Sequence, residues 1–378
     1  MPQSTSQNAE TADARSLPAP AHEPQDEIFV GAFNLLRKAI SDQVFPGASL
    51  AVTHQGQLVA LKAVGHFTYD PNSPVVAPSS VFDLASVTKV VAATSMAMLL
   101  YERGLLDLET PACEIVPEFN TEDLRRRQVT IRMLLAHSSG LPAYEKLFLQ
   151  ARNHDELLQA ALQMPLTADP GTRSEYSDIG FIVLGAALER VAAEPLDRFC
   201  QREVFGPLGM THTMFNPPPA ARPLIPPTAG PDSSQGGIVQ GGVHDENARA
   251  LGGVAANAGL FASAEDLSTF AHAMLQGGRP LIRRETLATF TRREPRPRSS
   301  RALGWDTPSW PSQSGKYFSA GSFGHLGYTG TSLWIDPQRQ LSVTLLTNRT
   351  WPNDGNDAIQ QVRPAFHDAI VEVLEKNL

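Results

Sequence analysis

Residues 81–104 read VFDLASVTKVVAATSMAMLLYERG. From Ser86 to Arg103 apolar residues fall on nearly every side of a helical projection, so the pattern predicts a buried helix rather than a surface one. Gly104 is placed to end it. The preceding VFDLA is strand-like, which puts Ser86-Val87-Thr88-Lys89 on a strand-to-helix junction. A serine there feels the partial positive charge of a helix N-terminus, which favours an alkoxide. Residues i and i+3 share a helix face, so the Lys89 amine can reach the Ser86 hydroxyl. A partly buried lysine loses its proton more easily and can act as a base. A capping serine followed by a snorkelling lysine accounts for the same four letters. The rest of the chain must decide between the two.

Working towards the N-terminus, Ala48–Thr53, the turn His54–Gln57 and Leu58–Val64 read as a β-hairpin. Before it, Phe29, Phe33, Leu36, Ala39 and Ile40 recur at helical spacing. Residues 1–27 are polar, proline-containing and acidic, and read as a disordered tail. They lack the basic start and apolar centre of a secretory signal. The expected location is therefore cytoplasmic as the sequence stands, or periplasmic or secreted if a leader has been removed.

Towards the C-terminus, residues 105–215 read as helices joined by loops. Pro217–Gly242 is a long Pro/Gly segment of the kind that wraps a surface or rims a site. Ser263-Ala264-Glu265-Asp266 looks like a capping box opening a helix that ends near Leu275. Leu333–Asp336 and Leu341–Leu346 form a second hairpin, and Asp357–Lys376 is an amphipathic helix. Strands at both ends with helices between them predict an α+β fold. Its sheet, built from both chain ends, is mostly antiparallel and flanked by helices, with a largely helical inserted lobe. The expected organisation is one catalytic domain over 28–378. Its α/β lobe takes 28–90 and 250–378, and its helical lobe takes 91–249.

The composition narrows the function classes. With 42% hydrophobic residues, the 378-residue chain can bury a large core. A net charge of −8 argues against general nucleic-acid or anionic-membrane binding, which need excess Lys and Arg. No apolar run is long enough to span a bilayer. The two cysteines, Cys113 and Cys200, read as free thiols rather than a disulfide framework.

Several other elements could carry chemistry. Tyr176-Ser177-Asp178 follows the turn Asp169-Pro170-Gly171-Thr172, and a tyrosine beside a lysine can relay protons. His325-Leu326-Gly327 precedes Tyr328-Thr329-Gly330-Thr331 and a strand, where small residues would let a substrate backbone lie along a strand edge. Arg349 follows the last strand and could bind a carboxylate bidentately. His244-Asp245-Glu246 has metal-ligand side chains, but adjacent loop residues rarely converge on one ion, so neither metal nor cofactor is expected. The arginines of 292–301 read as a solvated loop.

Taken together and in this order, Ser86-x-x-Lys89, Tyr176-Ser177-Asp178 and His325-Leu326-Gly327 resemble the three motifs of the serine β-lactamase/penicillin-binding-protein superfamily. The second has the tyrosine form of class C β-lactamases. Phe45-Pro46-Gly47-Ala48 and the segment from Thr130 to Pro142, including His137, extend the resemblance. His244 to Asn247 and Ala258-Gly259-Leu260-Phe261 are similar to penicillin-binding-protein-4B-like proteins and muramyl-peptide amidases. The resemblance implies Ser86 as nucleophile and Lys89 with Tyr176 as general base. It also implies the backbone N–H groups of Ser86 and Tyr328 as oxyanion hole. Asp178, His325, Gly327 and Arg349 would bind substrate, and His137 would be structural. Asp178 stands where the family often has Asn, and His325 where Lys is usual. The missing lysine weighs against efficient β-lactam hydrolysis. The implied activity is a serine hydrolase working through an acyl-enzyme on peptidoglycan-derived amides or D-amino-acid peptides. A carboxylesterase on small acyl esters, a β-lactamase, or a catalytically silent penicillin-binding relative are the alternatives.

Overall fold

The computed structural model describes residues 18–376. Its strands are β1 (Ala19–Pro20), β2 (Gly47–His54), β3 (Gln57–Gly65), β4 (Phe82–Asp83), β5 (Met214–Phe215), β6 (Leu260–Ala262), β7 (Phe323–Leu326), β8 (Ser332–Asp336) and β9 (Leu341–Thr347). The larger sheet runs β1-β3-β2-β9-β8-β7, and a small second sheet runs β4-β6-β5. Both expected hairpins form. In the first, Gln55 (φ 49°) and Gly56 (φ 80°) turn left-handed, the geometry a two-residue hairpin loop needs. The two hairpins meet through antiparallel β2 and β9, with Ala48 opposite Thr347, so the sheet joins distant parts of the chain. Among the described residues only β1 pairs in parallel, with β3.

The expected tail boundary at residue 27 needs correction. Most of that stretch, residues 1–17, lies outside the described residues. From 18 onward the chain is built into the sheet: β1 pairs with β3, and Gln25–Ile28 is a short helix. Gln25 Oε1 accepts the Leu61 N–H at 2.9 Å, and Asp26 pairs with Lys62 at 2.7 Å. A short polar stretch shows no periodicity of its own, because its partners lie in the hairpin.

Side-chain alternation assigns the two faces of the sheet. Leu50, Val52, Trp334, Val343 and Leu345 pack beneath helices Val30–Ser41 and Ile359–Lys376. Ala51, Leu333, Ile335 and Leu346 join the larger core, which includes helix Ala264–Leu275 and the helical region. Ser263 Oγ caps that helix by accepting the Asp266 N–H at 3.2 Å. Asp266 does not complete the box; its carboxylate takes the His212 N–H and the Thr213 hydroxyl instead. Pro217–Gly242 carries only one short helical turn, Arg222–Leu224. Cys113 and Cys200 are unpaired thiols. No helix among the described residues is long and apolar enough to cross a membrane.

The buried helix that opened the sequence reading is not uniform. Ala85–Val87 forms a tight 3₁₀ turn, Lys89–Thr94 a wider π turn, and Ser95–Glu102 a regular α-helix. Such widened turns recur at functional sites. Gly104 (φ 69°) ends the helix in the left-handed conformation.

Candidate active site

The nucleophile candidate sits where β4 runs into this helix. Ala85, immediately before Ser86, holds φ 46°, a conformation that costs energy outside glycine and persists only when its surroundings enforce it. Buried Asp83 is the enforcing group. One carboxylate oxygen accepts the Ala85 N–H at 2.8 Å and the other accepts the His244 N–H at 2.7 Å. Burial pushes the Asp83 carboxyl up to about 6 against these two amides. The loop after β7 is fastened to the same spot. Thr329 Oγ1 donates to the Asp83 carbonyl at 2.8 Å, and Thr331 Oγ1 donates to the Leu84 carbonyl at 3.0 Å.

Around Ser86 the structure brings three predicted residues together. Lys89 Nζ lies 3.1 Å from Ser86 Oγ, and Tyr176 Oη lies 2.7 Å from it. Asp178 completes the cluster, with Oδ1 2.6 Å from Lys89 Nζ and 3.2 Å from Tyr176 Oη. The third partner of Lys89 is the Asn257 carbonyl at 2.8 Å, a main-chain acceptor that no motif identifies. Burial alone would push the Lys89 ammonium down. The charge and hydrogen bond of Asp178, with those of Tyr176, outweigh it and raise Lys89 above its ordinary value. A lysine that readily sheds its proton, the sequence expectation, is not what this environment favours. Burial, aided by the Asp178 charge and opposed by Lys89, pushes the Tyr176 phenol up to about 12.

His137 places Tyr176 rather than entering the cluster. Its Nδ1 accepts the Ser177 N–H at 3.0 Å, and its ring packs on Tyr176 with centroids 4.7 Å apart. Burial holds it well below the ordinary histidine range.

The other expected substrate ligands are differently employed. His325 is buried, and its Nδ1 lies 2.8 Å from the Leu326 carbonyl. Burial, with Lys89 and Arg301 nearby, holds it well below its usual value, so it is a neutral ring and not a substitute for the family lysine. Gly327 lets two segments touch: a Cβ there would run into Thr331 Oγ1 and the Leu84 carbonyl. Arg349, expected to meet substrate, is only 5% exposed and turned onto the protein. Its Nε donates to the Tyr328 carbonyl at 2.7 Å, one terminal nitrogen donates to the Asp354 and Asn356 carbonyls at 3.1 Å, and the guanidinium lies 4.4 Å over the Tyr328 ring. Asp178, also expected to meet substrate, is spent on Lys89 and Tyr176. His244, Asp245 and Glu246 turn three ways. His244 stacks on Tyr328, Asp245 caps helix Glu246–Ala250, and Glu246 accepts the Tyr144 hydroxyl.

These residues line one cleft of about 730 Å³ that also holds Arg301 and Asp306. Arg301 was read as part of a solvated loop. Its guanidinium instead lies 5.2 Å over the Tyr176 ring. No local signal distinguishes it from its neighbours, because the β-bridge that seats it pairs it with Asp306 across a loop. A hydroxyl held between an ammonium and a phenol that share one carboxylate, in a cleft with an arginine at one wall, is equipped for nucleophilic acyl transfer.

Comparison with known proteins agrees with this architecture. The Beta-lactamase family model matches residues 32–365. A protein of Salmonella agona (strain SL483) described as a putative D-alanyl-D-alanine carboxypeptidase is 31% identical, over 82% of this chain and 80% of its own length. The fold is similar to EstCE1, described as a hydrolase with promiscuous acyltransferase activity (TM-score 0.74, 22% identity, 92% of this chain and 99% of that one). It is also similar to a penicillin-binding protein homolog from Caulobacter crescentus (TM-score 0.73, 20% identity, 92% and 98%). A match over most of the chain, on a mostly antiparallel sheet flanked by helices, makes this chain a member of the Beta-lactamase family and a hydrolase of that fold.

Proposed function

We propose that the chain is a serine hydrolase that forms an acyl-enzyme on Ser86 and cleaves D-amino-acid peptides or related peptidoglycan amides whose departing residue carries a free carboxylate. The observation that carries the reading is the contact set at Ser86 Oγ, with Tyr176 Oη at 2.7 Å and Lys89 Nζ at 3.1 Å. The N–H groups of Ser86 and Tyr328 are the proposed oxyanion donors, supported by the hydroxyl ties that bind their two segments together. Arg301 supports the carboxylate. It lies on the cleft wall against an aromatic face, and a guanidinium can grip a carboxylate with two parallel bonds. The description of the Salmonella relative supports the same substrate class.

The test is intact-mass and peptide mapping after incubation with a D-alanyl-D-alanine-terminated peptide, a p-nitrophenyl ester and a penicillin in parallel. A mass increment on Ser86 is expected, absent in Ser86→Ala, which removes only the hydroxyl that meets Tyr176 and Lys89, with a thermal midpoint to check that the variant folds. Arg301→Gln should raise KM for the carboxylated peptide at least ~10-fold, since a charged hydrogen bond contributes about 1.5–3 kcal/mol, and leave the neutral ester unaffected. Turnover of the ester alone, insensitive to Arg301, would replace the peptidase reading with the carboxylesterase one. Turnover with no adduct on Ser86 would remove both.

A further inference from the structure

We propose that Asp178 is the final acceptor of the Ser86 proton during acylation, with the Tyr176 hydroxyl relaying it. The inference rests on the reading of Ser86 as nucleophile. It begins from the hydrogen-bond balance of the cluster. Besides the Tyr176 hydroxyl next to it, Lys89 Nζ has three partners: Ser86 Oγ, the Asp178 carboxylate and the Asn257 carbonyl. The last two can only accept. A lysine with a carboxylate at 2.6 Å, fully enclosed, is an ammonium, because losing its proton would strand the Asp178 charge without its partner. Lys89 therefore has no lone pair to offer.

Tyr176 Oη has two oxygen neighbours, Ser86 Oγ and Asp178 Oδ1. The carboxylate cannot donate, so the phenolic proton points to Asp178 and the Ser86 hydroxyl donates to Tyr176 Oη. The hydrogen-bond chain runs Ser86, Tyr176, Asp178 and ends on an oxygen that carries no proton. A resting phenolate is excluded by the position of the Tyr176 titration, well above neutrality. The groups facing Asp178 are Lys89 on the nucleophile helix, Tyr176 beside it, and Asp245 and Tyr144 from the opposing loops. Of these only Lys89 is a cation, and it stays one throughout.

The step balances. As Ser86 Oγ bonds to the substrate carbonyl carbon, its O–H bond breaks and the proton passes to Tyr176 Oη. The phenolic proton moves at the same time to Asp178 Oδ1. Tyr176 begins and ends neutral, the carboxylate charge is discharged, and an equal charge appears on the substrate oxygen. When the tetrahedral intermediate collapses, Asp178 returns its proton through Tyr176 to the departing nitrogen or oxygen as its bond to carbon breaks. An asparagine, which the family often has at this position, could hold Lys89 and Tyr176 in place but could not take the proton.

The test compares wild type with Asp178→Asn in burst kinetics on a p-nitrophenyl ester, with mass mapping of the adduct and proton inventories in H₂O/D₂O mixtures. Asparagine keeps the size and accepting oxygen of Asp178, and thermal midpoints check that both proteins fold. The acylation rate should fall about 100-fold or more, the range of a lost general base, with the dissociation constant of the non-covalent complex, read from the concentration dependence of the burst, unchanged. The inventory should change from curved, with two protons in flight, to linear. A variant within about 3-fold of wild type would fall short of any general-base role and overturn the proposal. So would a linear inventory in wild type, a result that needs no variant. A wild type that never acylates Ser86 is a different result, because it removes the serine-hydrolase reading itself.

Discussion

Arg349→Met separates two roles that an arginine at the edge of a cleft can play. In the structure Arg349 is a clamp on the loop that carries Tyr328, not an open substrate ligand. Methionine keeps much of the stem and removes the donors. The carbonyls of Asp354 and Asn356 lie at exposed or half-exposed residues and can be rehydrated. The main loss is then the charged bond to the Tyr328 carbonyl and the cation–aromatic contact, together about 2–4 kcal/mol. Unfolding entropy of about 2.1 cal/mol/K per residue converts this to a drop of about 3–5 °C in Tm for a chain of this length. The kinetic consequence follows from the neighbouring amide. If Tyr328 N–H is an oxyanion donor, loosening its loop lowers kcat by up to ~10²–10³-fold, the range for losing one such donor. That loss should fall equally on neutral esters and carboxylated peptides. Calorimetry and steady-state kinetics on one substrate of each kind decide it. An unchanged Tm and kcat, with KM raised only for the carboxylated substrate, would refute the clamp and restore Arg349 as the carboxylate partner.

Two further outcomes depend on buried histidines. His325 is held neutral, so KM for a carboxylated peptide should be flat between about pH 6 and 8, around the ordinary histidine value; a KM that falls towards pH 6 in wild type but not in His325→Asn would show that His325 does charge. Burial lowers His367 to about 3, with its Nδ1 3.0 Å from the Gln313 carbonyl. The unfolded state takes up that proton first, so the stabilisation is complete above the unfolded pKa of 6.5 and is lost as pH falls from there towards 3. Urea unfolding at pH 6.5 and 5.5 should therefore show a pH dependence smaller by about 1 kcal/mol in His367→Asn than in wild type; equal slopes would refute the assignment.

The parts of the fold legible in the sequence were those with long periodic signals. Both hairpins, the buried helix after Ser86 and the C-terminal helix carry enough alternating or helical spacing to read without their partners. Strands β4, β5 and β6 have two or three residues each and exist only because they pair with one another. The width of the turn at Lys89–Thr94 leaves no trace in composition. At the candidate site, the meeting of Ser86, Lys89 and Tyr176 could be anticipated because spacing and order carry it. Their protonation could not, since it depends on Asp178 and the Asn257 carbonyl arriving from elsewhere in the chain. The same limit explains Arg301 and Arg349. Residue type marks both as cations, but only tertiary pairing decides that Arg349 is bonded to the Tyr328 backbone while Arg301 lies over the Tyr176 ring.

The pairing of β2 with β9 also sets a timetable. During synthesis β2 and β3 emerge early, yet the long side of β2 has no partner until residues 341–347 are made. For most of translation the hairpin exposes an edge of unpaired N–H and C=O groups along Ala48–His54, the kind of edge that recruits other chains. Closing so long a loop is slow, and the waiting species is vulnerable to aggregation. Truncations or frameshifts ahead of Leu341 would therefore do more than remove a C-terminal segment. They would leave a sheet whose centre is permanently an edge. For recombinant production, slower synthesis at lower temperature and an intact C-terminus should matter more to yield than changes at the N-terminal end.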